Sequence, residues 1–296
     1  MKSLTGSKTT SCFKGLSDME VLDRNRAWTG ELQLELSQKQ NRTVSENVFF
    51  EGAFKVMQPI YLDHTGQLTY YLLNPGGGYL GGDTYSMDIR LNEEAYAILT
   101  TQSATKVYKT PGDHAYQYGR FSLGPGSLLE YTPDPLIVYR EGVYQQHQQF
   151  YMDPRATLLS TDIITPGWSP SGKHFSYDKV DVLNEVFIDG QLEVMDRFVL
   201  EPNKKNVASY GHMEGYSHLG SMMMISPFVT DGIIESLHDL VDHKEINFGL
   251  SRTPVPGLSL RVLANRTQDI EEVFTACQNY IRRTLFDASP VFLRKY

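Results

Sequence analysis

The chain has 296 residues, of which 27 are Lys or Arg and 35 are Asp or Glu, so its formal net charge at pH 7 is −8. A protein this acidic lacks the basic surface that binds a phosphate backbone, which excludes nucleic acid as the expected partner. Its two cysteines, Cys12 and Cys277, exclude a disulfide framework and a four-thiolate metal site. The chain carries neither a membrane-length apolar run nor the apolar core of a signal peptide, so we expect a cytoplasmic protein with no membrane partner.

The first 26 residues are polar and rich in Ser, Thr, Lys and Gly, without a sustained hydrophobic period. We therefore expect residues 1–26 to form a mobile N-terminal tail, with Met19 as a candidate start of the protein. No linker or low-complexity tract divides the remainder. We expect residues 27–296 to fold as a single domain.

From residue 31 onward, short segments alternate between apolar and polar residues. Leu32, Leu34 and Leu36 fall on one face of the first segment, which is the pattern of a half-buried strand. Clusters of Gly, Pro, Asn and Asp separate the segments, and this spacing predicts a mostly β architecture. The further segments predicted as strands are Val48–Phe50, Leu68–Leu73, Tyr85–Leu91, Ala97–Tyr108, Leu128–Tyr131, Ile137–Tyr139, Ala156–Ile164, Val182–Ile188 and Gln191–Leu200.

The C-terminal third changes to a helical period. Apolar residues recur at helical spacing from Ile233 to Val241, after the possible caps Thr230 and Asp231. They recur again from Ile270 to Ile281, where acidic residues occupy the first turn and Arg282 and Arg283 the last, as the helix dipole favours. Between the two helices, Leu258–Ala264 is predicted as a strand. The sequence therefore predicts an all-β body with two late helices.

A glycine-rich string, Asn74–Asp83, contains a formal G-x-G-x-x-G pattern at Gly76, Gly78 and Gly81. A dinucleotide site requires a helix to begin there, because the amides at its N-terminus bind the pyrophosphate. The alternating segment Tyr85–Leu91 follows instead, which predicts a strand. We interpret the string as a tight turn in which two backbones approach closely.

Several polar residues are candidates for a site. Thr101, Ser103 and Thr105 share one face of the predicted strand Ala97–Tyr108, either as a solvated outer face or as the polar lining of a cleft or channel. Asp162 lies in an apolar segment, so we expect it near the core with a hydrogen-bonding partner.

No strong motif for a metal site or a nucleophilic enzyme is present. The sequence has no H-E-x-x-H, no G-x-S-x-G elbow and no Walker loop. His212 and His218 lie near Met222–Met224, and imidazole and thioether groups can bind a transition metal. Their spacing fits no fixed ligand geometry.

Another class of function is a carbohydrate-active or carbohydrate-binding β-protein, in which tyrosines stack sugars and a carboxylate pair cleaves them. Asp83, Glu130 and Asp162 supply carboxylates, but the sequence places no two of them together. A plain β-sandwich binding module is a further alternative.

The succession of motifs resembles the urease accessory protein D family, which is called H in some bacteria. The resemblance runs in order from about Trp28 to the end of the chain. The strings that carry it are Phe49-Phe-Glu51, Pro75-Gly-Gly-Gly-Tyr-Leu-Gly-Gly-Asp83, Thr101-Gln-Ser-Ala-Thr-Lys-Val-Tyr108, Leu129-Glu-Tyr-Thr-Pro-Asp-Pro-Leu136, Asp162-Ile-Ile-Thr-Pro-Gly167, Tyr216-Ser-His218 and Phe292-Leu-Arg-Lys-Tyr296.

The resemblance implies a nickel-delivery chaperone without catalytic activity, built as a mostly β, superhelical, β-helix-like scaffold. Its implied partners are the urease accessory proteins F and G and apo-urease, and its implied cargo is a nickel ion in transit, with no tightly bound cofactor. Family members are thought to conduct Ni²⁺ through an internal polar tunnel. Carried onto this chain, the implied tunnel residues are Asp83, Thr101, Ser103, Thr105, Glu130, Asp162 and Asp196.

Overall fold

The computed structural model describes residues 27–242 and 246–293 of the chain. The predicted tail over residues 1–26, the candidate start at Met19 and the last three residues of the terminal string lie outside the described residues. Within the described residues the chain forms eighteen strands and two helices. The strands of the first half are β1 (Gly30–Lys39), β2 (Arg42–Gly52), β3 (Lys55–Val56), β4 (Ile60–Tyr61), β5 (Leu68–Leu73), β6 (Thr84–Leu91), β7 (Tyr96–Thr101), β8 (Thr105–Val107), β9 (Ala115–Leu123), β10 (Leu128–Tyr131) and β11 (Leu136–Val138). The second half contains β12 (Val143–Met152), β13 (Thr157–Ile164), β14 (Lys179–Ile188), β15 (Gln191–Leu200), β16 (His218–Ile225), helix α1 (Asp231–Asp242), β17 (Asn247–Arg252), β18 (Gly257–Ala264) and helix α2 (Thr267–Phe286).

The strands form two sheets. Sheet A has the order β15-β14-β12-β9-β6-β1-β2, and sheet B has the order β17-β18-β16-β13-β10-β7-β5-β3, with β4, β8 and β11 attached at its side. The central pairings of each sheet are parallel, whereas the pairings at the ends are antiparallel. From β5 to β14 the chain passes back and forth between the two sheets, so successive coils stack as in a β-solenoid. The prediction of a mostly β, superhelical scaffold with two late helices is confirmed.

Stacked rows of apolar side chains fill the space between the sheets. Leu34, Ile89, Phe121, Phe150 and Val186 lie side by side in five neighbouring strands of sheet A. All five are buried, and the rings of Phe121 and Phe150 stack with their centroids 4.7 Å apart. Burial of each such side chain stabilises the fold by about 1.5–3 kcal/mol.

A second core lies on the other face of sheet B, which the two helices cover. Strand β16 is therefore buried on both faces, and its methionines alternate between the cores: Met222 and Met224 pack toward the helices, and Met223 packs between the sheets. The three thioethers thus serve packing. At Gly220 of the same strand an added Cβ atom would lie 2.4 Å from the Cγ2 atom of Ile270, so glycine permits the close approach of α2.

Two local predictions can be compared with the structure. The glycine-rich string is a turn followed by strand β6, as predicted, and a Cβ atom on Gly78 would lie 2.8 Å from the carbonyl oxygen of Lys106. The single strand predicted over Ala97–Tyr108 is wrong, because a bend at residues 102–104 divides it into β7 and β8. In the described part of the chain, neither helix is long and apolar enough to cross a membrane.

Candidate functional site

A cavity of about 100 Å³ lies between the two sheets, where the coils turn from one sheet to the other. Its wall includes the exposed residues Gly77, Gln102 and Ser103, so the cavity opens to solvent at the glycine-rich turn and the bend after β7. Deeper inside, the wall is partly apolar and partly polar, with Gln146 and Asp162 at its inner end.

The three predicted hydroxyls lie at the mouth of this cavity. Thr101, Ser103 and Thr105 all line it, although the bend places them on two strands and the connection between them. The hydroxyl of Thr101 donates to Asp134 Oδ2 over 2.8 Å and accepts the backbone N–H of Asp134 over 2.8 Å. The mouth is therefore a rim of hydroxyl and carboxylate oxygens.

Asp162 projects from β13 into the inner end of the cavity. Its Oδ1 atom accepts the side-chain amide of Gln146 over 3.1 Å, and its Oδ2 atom accepts that of Asn184 over 2.9 Å. Burial raises the pKa of the Asp162 carboxyl, and the carboxylate of Asp196 adds to the rise, whereas the two amides and the Arg261 guanidinium oppose it. The predicted partners of a carboxyl near the core are thus present.

Asp196, on β15 of sheet A, lies beyond Asp162 at a much smaller cavity of about 10 Å³. The Asp196 carboxylate forms an ion pair with Arg261 and accepts the hydroxyl of Ser221 over 3.3 Å. Five of the predicted site residues, namely Thr101, Ser103, Thr105, Asp162 and Asp196, therefore line two cavities that share Asp162 in their walls, and we call this row of polar side chains the polar path.

Asp83 lies outside both cavities. Its Oδ2 atom accepts the backbone N–H of Leu80 over 2.7 Å, and its own N–H donates to the Leu80 carbonyl over 3.1 Å, so the side chain closes the glycine-rich turn. Its charge reaches the buried hydroxyl of Tyr85, whose pKa is raised to about 12, mainly by burial. The structure gives Asp83 a turn-stabilising role.

Glu130 also lies away from the cavities, on the helix-covered side of β10. The Glu130 carboxylate is buried and binds the guanidinium of Arg282 and the side-chain amides of Gln67 and Gln278. Every one of these contacts joins Glu130 to another part of the fold. The structure therefore gives Glu130 a place in a buried ion-pair network.

The described residues contain no group of three or more His, Cys, Asp or Glu side chains placed to hold a metal ion. His212 is exposed on a loop and contacts Ser209, whereas His218 begins β16 and contacts Ser217. Within the described residues, neither histidine belongs to such a group, and the methionines at 222–224 pack in the two cores.

Three further residues of the polar path were not predicted from the sequence: Gln146 and Asn184, which donate to Asp162, and Arg261, which pairs with Asp196. Gln146 lies in a strand that was not predicted, because glutamine and histidine interrupt its apolar period. The four glutamines within Val143–Met152 are the one feature of the sequence that indicates a polar interior. Oxygen atoms of carboxylates, hydroxyls and amides dominate the path, and such ligands suit a divalent cation bound weakly.

Comparison with known proteins gives one consistent result. The family model described as "UreD urease accessory protein" matches residues 29–295. The Urease accessory protein UreD of Staphylococcus saprophyticus is 42% identical over 278 residues, covering 93% of this chain and 99% of the relative. That of Lachnoclostridium phytofermentans is 43% identical over 271 residues, covering 91% and 99%, and that of Staphylococcus epidermidis is 41% identical over 273 residues, covering 91% and 98%. With a family match over nearly its whole length and relatives above 40% identity, the chain belongs to the UreD family of urease accessory proteins.

Proposed function

We propose that this accessory protein matures urease by conducting Ni²⁺ along its internal polar path toward the apo-enzyme. The observation that carries the proposal is the alignment of Thr101, Asp162 and Asp196 along two neighbouring cavities between the sheets. The entrance is the rim of oxygen atoms at the glycine-rich turn. The path omits Asp83 and Glu130, whose contacts are those of a turn and an ion-pair network.

A conduit must bind its ion without trapping it, so the binding has to be weak and distributed. A single site with a Kd of about 1 nM and an association rate constant near 10⁶ M⁻¹s⁻¹ would hold the ion for roughly a quarter of an hour. Carboxylate, hydroxyl and amide oxygens bind Ni²⁺ less tightly than thiolate or multiple-imidazole sets do. The donor set of this path therefore suits transit.

The partners proposed for this chain are accessory proteins F and G and apo-urease. Several large apolar side chains are exposed, among them Trp168, Phe228 and Phe292, which are 50%, 54% and 84% accessible. Exposed aromatic groups of this kind are enriched in the cores of protein interfaces. We expect poor solubility when the chain is expressed alone and a higher soluble yield on co-expression with accessory protein F. A chain that stays monodisperse alone and ignores F in a pull-down would contradict this assignment.

Reconstitution tests the conduit directly. Apo-urease is incubated with accessory proteins F and G, Ni²⁺, GTP, bicarbonate and either the wild-type chain or Asp162→Asn, which keeps the side-chain volume and removes the charge. The initial rate of urease activation should fall about tenfold, which corresponds to the loss of a contact of about 1.4 kcal/mol with the passing ion. Complex assembly, measured by size-exclusion chromatography, should be unchanged.

Asp83→Asn is the matched control, because it removes a carboxylate charge outside the path. Activation by Asp83→Asn, per mole of assembled complex, should equal that of the wild type. Full activation by Asp162→Asn, or loss of assembly in that variant, would contradict the conduit. The carbohydrate-active alternative has lost its support, because the relatives are accessory proteins and Asp196, the carboxylate near Asp162, is bound by Arg261.

A further inference from the structure

Four residues lie side by side on the inner face of sheet B at the far end of the polar path. The strand registers pair Asp162 with Ser221, Ser221 with Arg261 and Arg261 with Gly249. This row therefore crosses β13, β16, β18 and the edge strand β17. Sheet A faces it with Asn184, which is paired in register with Asp196. Two carboxylates, a hydroxyl, an amide and one guanidinium thus converge between the sheets.

The Arg261 guanidinium lies where a cation would bind. It donates to one oxygen of Asp196, and the hydroxyl of Ser221 donates to the other over 3.3 Å. The cavity that these groups line measures about 10 Å³, which is space for about one water molecule. A divalent cation entering from the Asp162 side would therefore meet a fixed positive charge and almost no free volume.

Asn184 supplies an independent sign of a ligand site. Its side chain is 4% accessible, and its Nδ2 atom donates to Asp162 over 2.9 Å. This hydrogen bond fixes the orientation of the amide, because the reversed amide would bring an oxygen against the carboxylate. The Oδ1 atom of Asn184 is buried and has no hydrogen-bond partner among the described residues. A buried carbonyl oxygen without a donor is costly, and it is a ligand that a hard divalent cation accepts.

We propose that Asp162, Asn184, Asp196 and Ser221 form a latent divalent-cation site and that the Arg261 guanidinium occupies it as a gate until it is displaced. The proposal deepens the conduit function and rests on it for the identity of the ion as Ni²⁺. The gate would keep the path closed to cations while Arg261 holds Asp196. Its withdrawal would free one carboxylate beside the other and complete an all-oxygen ligand set.

The structure leaves room for the guanidinium to move. The Arg261 side chain is 33% accessible, so one end of it already reaches solvent. Gly249, its register partner on the edge strand, is exposed, and no atom lies within 4 Å of the position where its Cβ would be. Arg261 can therefore swing outward over Gly249 without a change in the sheet.

Equilibrium binding of Ni²⁺ to the full chain tests the gate without urease. The chain is purified with a solubility fusion and without a histidine tag, and binding is measured by isothermal titration calorimetry. Arg261→Met should bind Ni²⁺ about tenfold or more tightly than the wild type, because a like charge in contact with the site is removed. The gain should disappear in the double variant Arg261→Met/Asp162→Asn.

Arg197→Met is the matched control. Arg197 is the neighbour of Asp196 on β15, and it forms a two-point ion pair with Asp181 over 3.0 and 2.9 Å on the outer face of sheet A. Its removal also frees a carboxylate, but Lys179 still contacts that carboxylate over 2.8 Å. Arg197→Met should therefore leave Ni²⁺ affinity unchanged.

The outcomes separate the gate from the conduit. A folded Arg261→Met chain that binds Ni²⁺ no more tightly than the wild type, or a gain that survives Asp162→Asn, overturns the latent site. If Arg261→Met fails to fold, Arg261→Gln keeps a hydrogen-bond donor toward Asp196, and it should also gain affinity. A gain in binding together with unchanged urease activation by Asp162→Asn would support the latent site and refute the conduit.

Discussion

Arg282 holds the C-terminal helix to the β body, and its removal gives the sharpest stability prediction. Its side chain is 2% accessible and donates to four acceptors in three parts of the chain: Gln67 over 2.7 Å, Asp63 over 2.5 Å, the carbonyl oxygen of Ser289 over 2.9 Å, and Glu130. The partners come from the turn before β5, from β10 and from the segment after α2. A single guanidinium thus compensates two buried carboxylates.

Arg282→Met keeps most of the side-chain volume and removes the charge. Removal of one partner of a buried ion pair costs about 3–5 kcal/mol, because the remaining charge is left without compensation. For a domain of this size the Tm should fall by about 2–4 °C per kcal/mol, hence by roughly 6–20 °C. The double variant Arg282→Met/Glu130→Gln should be less destabilised than Arg282→Met, because one of the two uncompensated charges is gone.

Urea unfolding followed by circular dichroism measures these changes, and the helix offers its own control. Arg283 is the next residue of α2 and is exposed, and among the described residues its side chain makes one long hydrogen bond, of 3.3 Å, to the carbonyl oxygen of Asn279. Arg283→Met should change the free energy of unfolding by no more than about 0.5 kcal/mol. The reasoning is refuted if Arg282→Met is no worse than Arg283→Met, or if the double variant is less stable than Arg282→Met.

Two further predictions concern packing and pH. Gly220→Ala places a Cβ atom against Ile270 and should lower the free energy of unfolding by about 1–3 kcal/mol. Gly249→Ala is the control, because its Cβ atom would meet open space, and it should leave the free energy of unfolding almost unchanged. Equal losses of stability in thermal melts of the two variants would contradict this packing account. Burial lowers the pKa of His218, so the unfolded chain binds a proton first as the pH falls below about 6.5, and the free energy of unfolding should decline there. His218→Gln should flatten this decline between about pH 7 and pH 5 in urea titrations, and an unchanged slope would exclude His218 as its source.

Strands β1, β6 and β18, which were predicted, alternate between buried and more exposed residues. In β1 the leucines at 32, 34 and 36 face the core while the residues between them face outward, so the alternation is visible. Strands β9 and β12 were missed because their inward positions include Gln117, Gly119 and Gln146, and strand β16 shows no alternation because both of its faces are buried. Apolar periodicity detects a strand that has one buried face and one solvent-exposed face. Its signal is weaker where inward positions are polar or both faces are buried, although β5 and β13, which are buried on both faces, were predicted as apolar runs.

The candidate site was predictable only in part. The apolar neighbours of Asp162 in the sequence indicated a buried carboxyl with partners, and the structure confirms those partners. The position of Arg282 suggested an interaction with the helix dipole, but its ion-pair partner Glu130 lies 152 residues away in the sequence. Local patterns carry no information about such pairs, because the fold alone brings the two groups together.

The polar path and the two apolar cores have opposite effects on the stability of the fold. Buried amides and carboxyls cost stability unless each is hydrogen-bonded, and replacing such groups by apolar side chains is often neutral or stabilising. This chain nevertheless places Gln146, Asp162 and Asn184 between sheets that are otherwise lined by stacked apolar rows. The second core, between sheet B and the helices, adds apolar burial that offsets the cost without obstructing the path. The Oδ1 atom of Asn184 has no hydrogen-bond partner among the described residues, so part of the cost of this polar interior is not compensated by the chain itself.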